Sequence, residues 1–437
     1  MYSKPEVTWT RSGGLQRSPR CARRHERGLA LVMTLFVIAL VTILVLEYHF
    51  DASVELDLAT NSGKDVQAYH LALAGVRFAQ ALLQADKADS DGPQDPWYQL
   101  GLVPLCFSPK QLIEQATTGL EALSGANAPP VTDAQRVAAQ RGVDGPQAAE
   151  GCVLLHITDE DSKLPLNALM PLPQSDGTSE PEPPQPWGPV MQKFLESFAI
   201  DPDIIDALID WMDENDSPRG TGGAEKSHYT SLPISYEPPN ARMRTPGELR
   251  LVRGFDELET LAKLFPGVPP EAIAGLDLGS NIYLTPFTGA LMPTTNPTPR
   301  ASAPPQPQTP TPPGTPPVNP LKQSARVNLN TASPEVLKAL LTGVQPGLSS
   351  PESQVEDLVA RRQAKQFKTL IEAVPDATLR AALTPVADVK STHFRVESIG
   401  VLGVIQKKMV VVLKRGATQA STIDLANPIA MVYFKVE

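Results

Sequence analysis

The sequence predicts an α+β protein with a long N-terminal helix, helical segments through its middle and antiparallel strands at its end. Three observations carry this reading. Leu29 to Leu46 are eighteen consecutive uncharged, mostly apolar residues, close to the ~20 a helix needs to cross a bilayer. "DPDIIDALIDWMDENDSP" (201–218) and "NTASPEVLKALL" (330–341) combine helix-start residues with apolar positions at helical spacing. "HFRVESIGVLG", "KKMVVVLKRG" and "PIAMVYFKV" alternate like antiparallel strands closing a sheet.

At the N-terminus, Lys4 and six arginines face only Glu6 and Glu26 before the apolar run, so the positive-inside bias keeps the first 28 residues cytoplasmic and the rest outside. The run exceeds the usual apolar region of a cleaved secretory signal, about 7 to 15 residues, and no A-x-A-like site follows it. That leaves a plain anchor or a leader cut in front of the helix. An apolar stripe of Val66, Tyr69, Leu73, Val76 and Leu83 continues the helix to about Leu83, with Gly63 and Gly75 weakening it locally. "DKADSDGPQDP" (86–96) breaks it. "GCVLLHITDED" (151–161) reads as a buried strand, with His156 a core histidine.

The proline-rich stretches 171–189 and 291–320 read as disordered insertions or linkers. Between them, Asp201 can cap a helix with Pro202 in its first turn and Ile204, Ile205, Leu208, Ile209 and Met212 on its buried face. Beyond them, Ser333 caps and Pro334 begins another helix, followed by a second around Gln354 to Gln363.

At 437 residues the chain has room for two or three domains. Removing the seven basic and two acidic residues of the first 28 takes the net charge from −10 to −15, which argues against nucleic acid or anionic lipid as partner. Cys106 and Cys152 remain outside; in an oxidising compartment they pair with each other or stay as separate buried thiols. The histidines are scattered, and neither G-x-S-x-G nor H-E-x-x-H occurs, which argues against an enzyme.

One cluster has chemistry of its own. Asp206, Asp210 and Asp213 share a helix face, and Glu214 and Asp216 follow at the carbonyl end, which repels anions by about 0.3–1 kcal/mol each. So many acids suggest a compensating cation, and oxygen-only donors favour calcium. An EF-hand starting at Asp213 is excluded, because Pro218 and Ala224 would stand at its glycine and glutamate positions. A looser site of Asp210, Asp213, Asn215, Asp216 and Glu225 fits, the alternative being a solvated acidic helix end.

Arg27-Gly28 followed by Leu29-Ala30-Leu31 resembles the prepilin-type cleavage site of type IV pilins and pseudopilins. That resemblance implies that a prepilin peptidase cuts after Gly28 and that Leu29 becomes the N-methylated terminus. Pilins usually carry glutamate at the fifth mature position, where this sequence has Met33. The ordered set "ITDEDSKLPLNAL", "LIDWMDENDSPRGTGGAEKSHY", "TPGELRLVRGF", "VNLNTASPEVLKAL" and "HFRVESIG" resembles the K-type minor pseudopilins of type II secretion systems, which lack that glutamate.

The resemblance implies an architecture: a leader (1–28), a transmembrane helix (29–49), a pilin-like part (50–166), an inserted helical domain (167–390) and C-terminal strands (391–437) completing the pilin-like sheet. It implies structural calcium, other minor pseudopilins as partners in a tip complex, and a single-pass place in the inner membrane with a periplasmic body. Residues 326–388 also resemble a helix-hairpin-helix module, although "TGVQPGLSS" replaces the glycine-rich hairpin such modules use on phosphates. That unit keeps open a second reading, a type IV pilus minor pilin or a DNA-uptake component.

Overall fold

The computed structural model describes residues 23–86, 88–102, 105–107, 151–171, 186–288, 325–415 and 429–437. The leader before Arg23, residues 172–185 and the whole run 291–320 lie outside these.

Helix α1 (Arg23–Ala85) is continuous over 63 residues. The chain divides into two compact units, Met1–Lys64 and Asp65–Glu437. In the first unit no protein covers the apolar run: Leu31, Phe36, Ile43 and Leu46 are all exposed. Among the described residues this is the one helix long and apolar enough to cross a membrane.

In the second unit the described strands are β1 (Leu105–Phe107), β2 (Cys152–Asp159), β3 (Leu164–Pro165), β4 (Leu284–Thr285), β5 (Val327–Asn328), β6 (Ala387–Asp388), β7 (His393–Leu402), β8 (Ile405–Arg415) and β9 (Ile429–Val436). Five of them form an antiparallel sheet in the order β1-β2-β7-β8-β9. The others make two small parallel pairs, β3 with β4 and β5 with β6. The C-terminal strands lie where the alternation placed them. Helix α2 (Pro96–Leu102) connects α1 to the sheet.

The end of α1 packs on this sheet through the later part of the expected stripe, Val76 and Leu83, joined by small residues outside it. Val66 is exposed and Tyr69 and Leu73 are half-buried, whereas Ala68, Ala72, Val76, Ala79 and Leu83 are buried. The cause is close approach. A Cβ on Gly75 would stand 2.1 Å from Ser398 Oγ, and one on Gly400 would stand 2.0 Å from the Ala68 carbonyl oxygen. Helix and strand meet nearly backbone to backbone, so small residues face the sheet and Gly75 is required there rather than merely tolerated.

A separate core fills the helical middle, with Trp187, Phe194, Leu208, Trp211, Tyr229 and Leu340 among its fully or almost fully buried members. The helix Trp187–Ser197 begins inside the stretch expected to be a proline-rich insertion, because Trp187 docks into this core and Pro189 falls in the first turn. The expected helix over 201–213 is shorter, Ile204–Asp210, and starts after Asp201 Oδ1 accepts the Asp203 amide at 3.0 Å. Ile204 and Ile205 are half-buried on its core side.

The helix Pro334–Val344 starts as its residues dictate, with Ser333 Oγ accepting the Val336 amide at 3.2 Å. It is followed by Pro351–Ala364. This helix pair is present; the helix-hairpin-helix resemblance remains a feature of the sequence. "VNLNT" ties the helical middle to the sheet. Asn328 Nδ2 donates to the Asp91 carbonyl (3.0 Å), Asp159 Oδ2 (3.1 Å) and Ser391 Oγ (2.7 Å), and Thr331 Oγ1 donates to Asp159 Oδ2 at 2.5 Å.

Candidate metal centre

The chain leaves the helix Ile204–Asp210 through one tight turn, in which the Asp213 amide donates to the Ile209 carbonyl at 2.9 Å. This turn carries Asp213 round to the side of Asp210. Residues 219–225 then fold back as a glycine-rich loop. The Arg219 amide donates to Asp210 Oδ2 at 3.1 Å. A Cβ on Gly223 would stand 2.5 Å from that same oxygen and 2.2 Å from the Arg219 carbonyl, so only glycine lets the loop close on the carboxylate. Arg253 Nη1 holds the loop by donating to the Gly223 carbonyl at 2.8 Å. The loop ends at Glu225, which precedes the short helix Lys226–Thr230, and Tyr229 of that helix packs edge-on against Trp211, ring centroids 5.3 Å apart.

The result is three buried acids, Asp210, Asp213 and Glu225, with one carboxylate oxygen from each lying within 4.8 Å of the others. Asp210 and Glu225 are completely buried. Asp210 Oδ1 and both oxygens of Glu225 meet no donor at hydrogen-bonding distance among the described residues. Burial pushes the Glu225 carboxyl up to about 8, with Asp210, Asp213 and Asp216 adding repulsion and the Lys226 amide opposing weakly. Burial likewise raises Asp210 to about 6, against the Arg219 amide. Unpartnered buried carboxylates are costly, by several kcal/mol for an ion left without a counter-charge. A cation would supply the counter-charge.

The donors fit calcium. All are oxygens, and at calcium–oxygen distances of about 2.3–2.6 Å opposed ligands stand about 4.6–5.2 Å apart, so oxygens within 4.8 Å of each other can reach one ion.

The remaining two residues of the expected set, Asn215 and Asp216, stand at its exposed margin. Asn215 is exposed; its Oδ1 accepts the Ser217 amide at 2.7 Å and its own amide donates to Asp213 Oδ1 at 3.2 Å. Asp216 is exposed, with Oδ1 3.4 Å from Asn240 Nδ2. Asp206 shares the helix face but turns to Arg219, whose Nε lies 3.5 Å from its Oδ1. Sequence reasoning missed the loop amides and Arg253; the "GTGG" run was the signal available for them.

Among the other expected site residues, Met33 is exposed on α1 and Gly28 lies within its first turns. Cys152 is disulfide-bonded, while Cys106, whose backbone pairs with Leu154, has its side chain outside the described residues. His156 is half-buried and lines a cavity of about 410 Å³ together with Lys163, Arg395 and Glu397. Lys163 pairs there with Glu160 at 3.0 Å and Arg395 with Glu397 at 2.9 Å.

Residues 162–268, which contain all three clustered acids, match the family model for the first domain of type II secretion system protein K. A type II secretion system protein K of Pseudomonas aeruginosa is 25% identical over 236 residues, covering 53% of this chain and 58% of that protein. One from Klebsiella pneumoniae is 25% identical over 239 residues, covering 53% and 59%. The chain thus spans less than two thirds of the length of these relatives. In fold it is similar to a chain in the crystal structure of the GspK-GspI-GspJ complex from the type 2 secretion system of enterotoxigenic Escherichia coli, with a TM-score of 0.51, 14% identity and coverage of 87% of this chain and 99% of that one. Residues 162–268 of this chain are thus similar to type II secretion system protein K, as are the stretches shared with these two relatives, and its fold is similar to that of the solved chain.

Proposed function

We propose that this protein is a structural minor pseudopilin at the tip of a type II secretion pseudopilus, where it starts or caps assembly and supports protein export across the outer membrane. It performs no catalysis. Its leader is removed after Gly28 by a prepilin peptidase and Leu29 is methylated. α1 then anchors it once in the inner membrane with the body in the periplasm. Calcium is held by Asp210, Asp213 and Glu225, with Asn215 and Asp216 at the margin, and locks the loop 219–225. Cys106 is the partner of Cys152.

The observation that carries the tip assignment is Met33 at the fifth position of the mature helix. A carboxylate there would lie in the membrane, at a cost of about 2.5–3.5 kcal/mol unless it is paired. In a pilin-like stack that pairing is with the N-terminal ammonium of the subunit ahead. A subunit with none ahead needs no carboxylate. The partners are two other minor pseudopilins, as in the similar complex that contains GspK, GspI and GspJ.

Co-purification of the full chain with candidate minor pseudopilins, together with end-labelling of filaments, tests this reading. One-to-one complexes and label at a single end are expected, and Met33→Glu should leave assembly unimproved. Label along the whole filament would overturn the cap.

A further inference from the structure

Away from the centre at Glu225, three more carboxylates converge where α1 ends. Asp86 follows the last turn of the helix, Asp91 and Asp95 lie in the loop before α2, and one oxygen from each lies within 4.8 Å of the others. Arg415, the last residue of β8, pairs with Asp86 at 3.1 Å and with Asp91. One guanidinium against three carboxylates leaves two negative charges. The neighbouring Lys390 ammonium donates to the Ala88 carbonyl at 2.8 Å.

Asp91 supplies an independent observation. It is completely buried, and while its Oδ2 accepts from Arg415 and from the Ser391 amide (2.8 Å), its Oδ1 meets no donor among the described residues. Asp95 is oriented by the Gly92 amide, 2.7 Å from its Oδ2. The ion pair with Arg415 therefore does not complete the group. An open oxygen on a fully buried carboxylate, beside two further acids, needs a positive ligand.

We propose that Asp86, Asp91 and Asp95 hold a second calcium ion, separate from the one at Asp210, Asp213 and Glu225. The donors are all carboxylate oxygens, a hard-ligand set that suits calcium, which accepts flexible all-protein cages that magnesium seldom uses. A divalent ion matches the two charges that Arg415 leaves. It ties the end of α1 to the loop before α2, on the side where Arg415 of β8 docks.

The test is the calcium stoichiometry of the purified full chain in detergent, by titration calorimetry after chelator treatment. Two ions per chain are expected, one in Asp213→Ala, one in Asp95→Asn and none in the double variant, with circular dichroism confirming the fold of each. Asp95 is used because it is only half-buried and asparagine keeps its hydrogen-bond acceptor. Terbium gives a local readout: in the Asp213→Ala background, emission sensitised by the buried Trp97 should persist and fall at least tenfold on adding Asp95→Asn. A single ion lost in Asp213→Ala would show that Arg415 alone closes the cluster, overturning this proposal and leaving the first centre standing. A single ion lost in Asp95→Asn but kept in Asp213→Ala would uphold this site and remove the other.

Discussion

Gly400 of β7 lies so close to Ala68 of α1 that a Cβ on the glycine would stand 2.0 Å from the alanine's carbonyl oxygen and 2.7 Å from the Ala72 amide nitrogen. Both are backbone atoms and cannot rotate away. Gly400→Ala should destabilise the protein by about 1–3 kcal/mol, the usual cost of overpacking. At Gly63, also in α1, an added methyl would meet nothing within 4 Å, so Gly63→Ala should stabilise the helix by about 0.5–1 kcal/mol. Urea unfolding of the two variants, read beside wild type, checks the opposite signs.

Calcium at the Glu225 centre should raise the melting temperature. An ion that binds only the folded state at a hundredfold excess over its Kd contributes about 2.7 kcal/mol. Asp213→Ala should remove most of the part that this centre contributes. Melting curves that coincide in calcium and in chelator would refute it.

In chelator, stability should rise as the pH falls. The folded-state carboxyl of Glu225 sits at about 8, above its ordinary 4.5, and that of Asp210 at about 6, above 3.8. The folded state therefore binds these protons more tightly than the unfolded chain. Their contribution is complete below the ordinary values and is lost as the pH rises through the raised ones. Between pH 9 and pH 6, Glu225 should add up to about 1.4 kcal/mol per unit, and Glu225→Gln should flatten that part of the curve. Saturating calcium should oppose the trend, because its ligands must shed their protons to bind.

Coexpression with a prepilin peptidase should shorten the chain by the 28 residues that end at Gly28 and expose a methylated Leu29. Intact-mass measurement reads both changes. Gly28→Val should block them, and a cut beyond Leu46 would exclude the prepilin reading.

Much of the fold is legible in the sequence, and what is not has a common cause. The long apolar N-terminal helix, the cap at Ser333 and the C-terminal strands depend on local chemistry, so runs, caps and alternation reveal them. The buried face of α1 is legible by apolar size only in part: Val76 and Leu83 are buried as their spacing predicts, whereas at Ala68, Ala72 and Gly75 the sheet selects small residues through distances that only the folded chain defines. Asp210, Asp213 and Glu225 all stand out in the sequence as acids of one neighbourhood. That Asp206 turns to Arg219, and that Asn215 and Asp216 stay exposed, depends on how the loop 219–225 folds back.

The pairing of β2 with β7 joins Asp159 to Phe394, with residues 160–393 between them. During synthesis the first strand is made long before its partner. At about 5–20 residues per second the intervening stretch takes roughly ten to fifty seconds. For that interval β2 has an open edge and the buried face of α1 has only part of its sheet, the condition in which strands find wrong partners. Early collapse of the helical middle shortens the effective distance between Asp159 and Phe394, and closing a loop about sixteenfold shorter costs about 2 kcal/mol less. A helical middle that is already compact thus eases the closing of the sheet that flanks it.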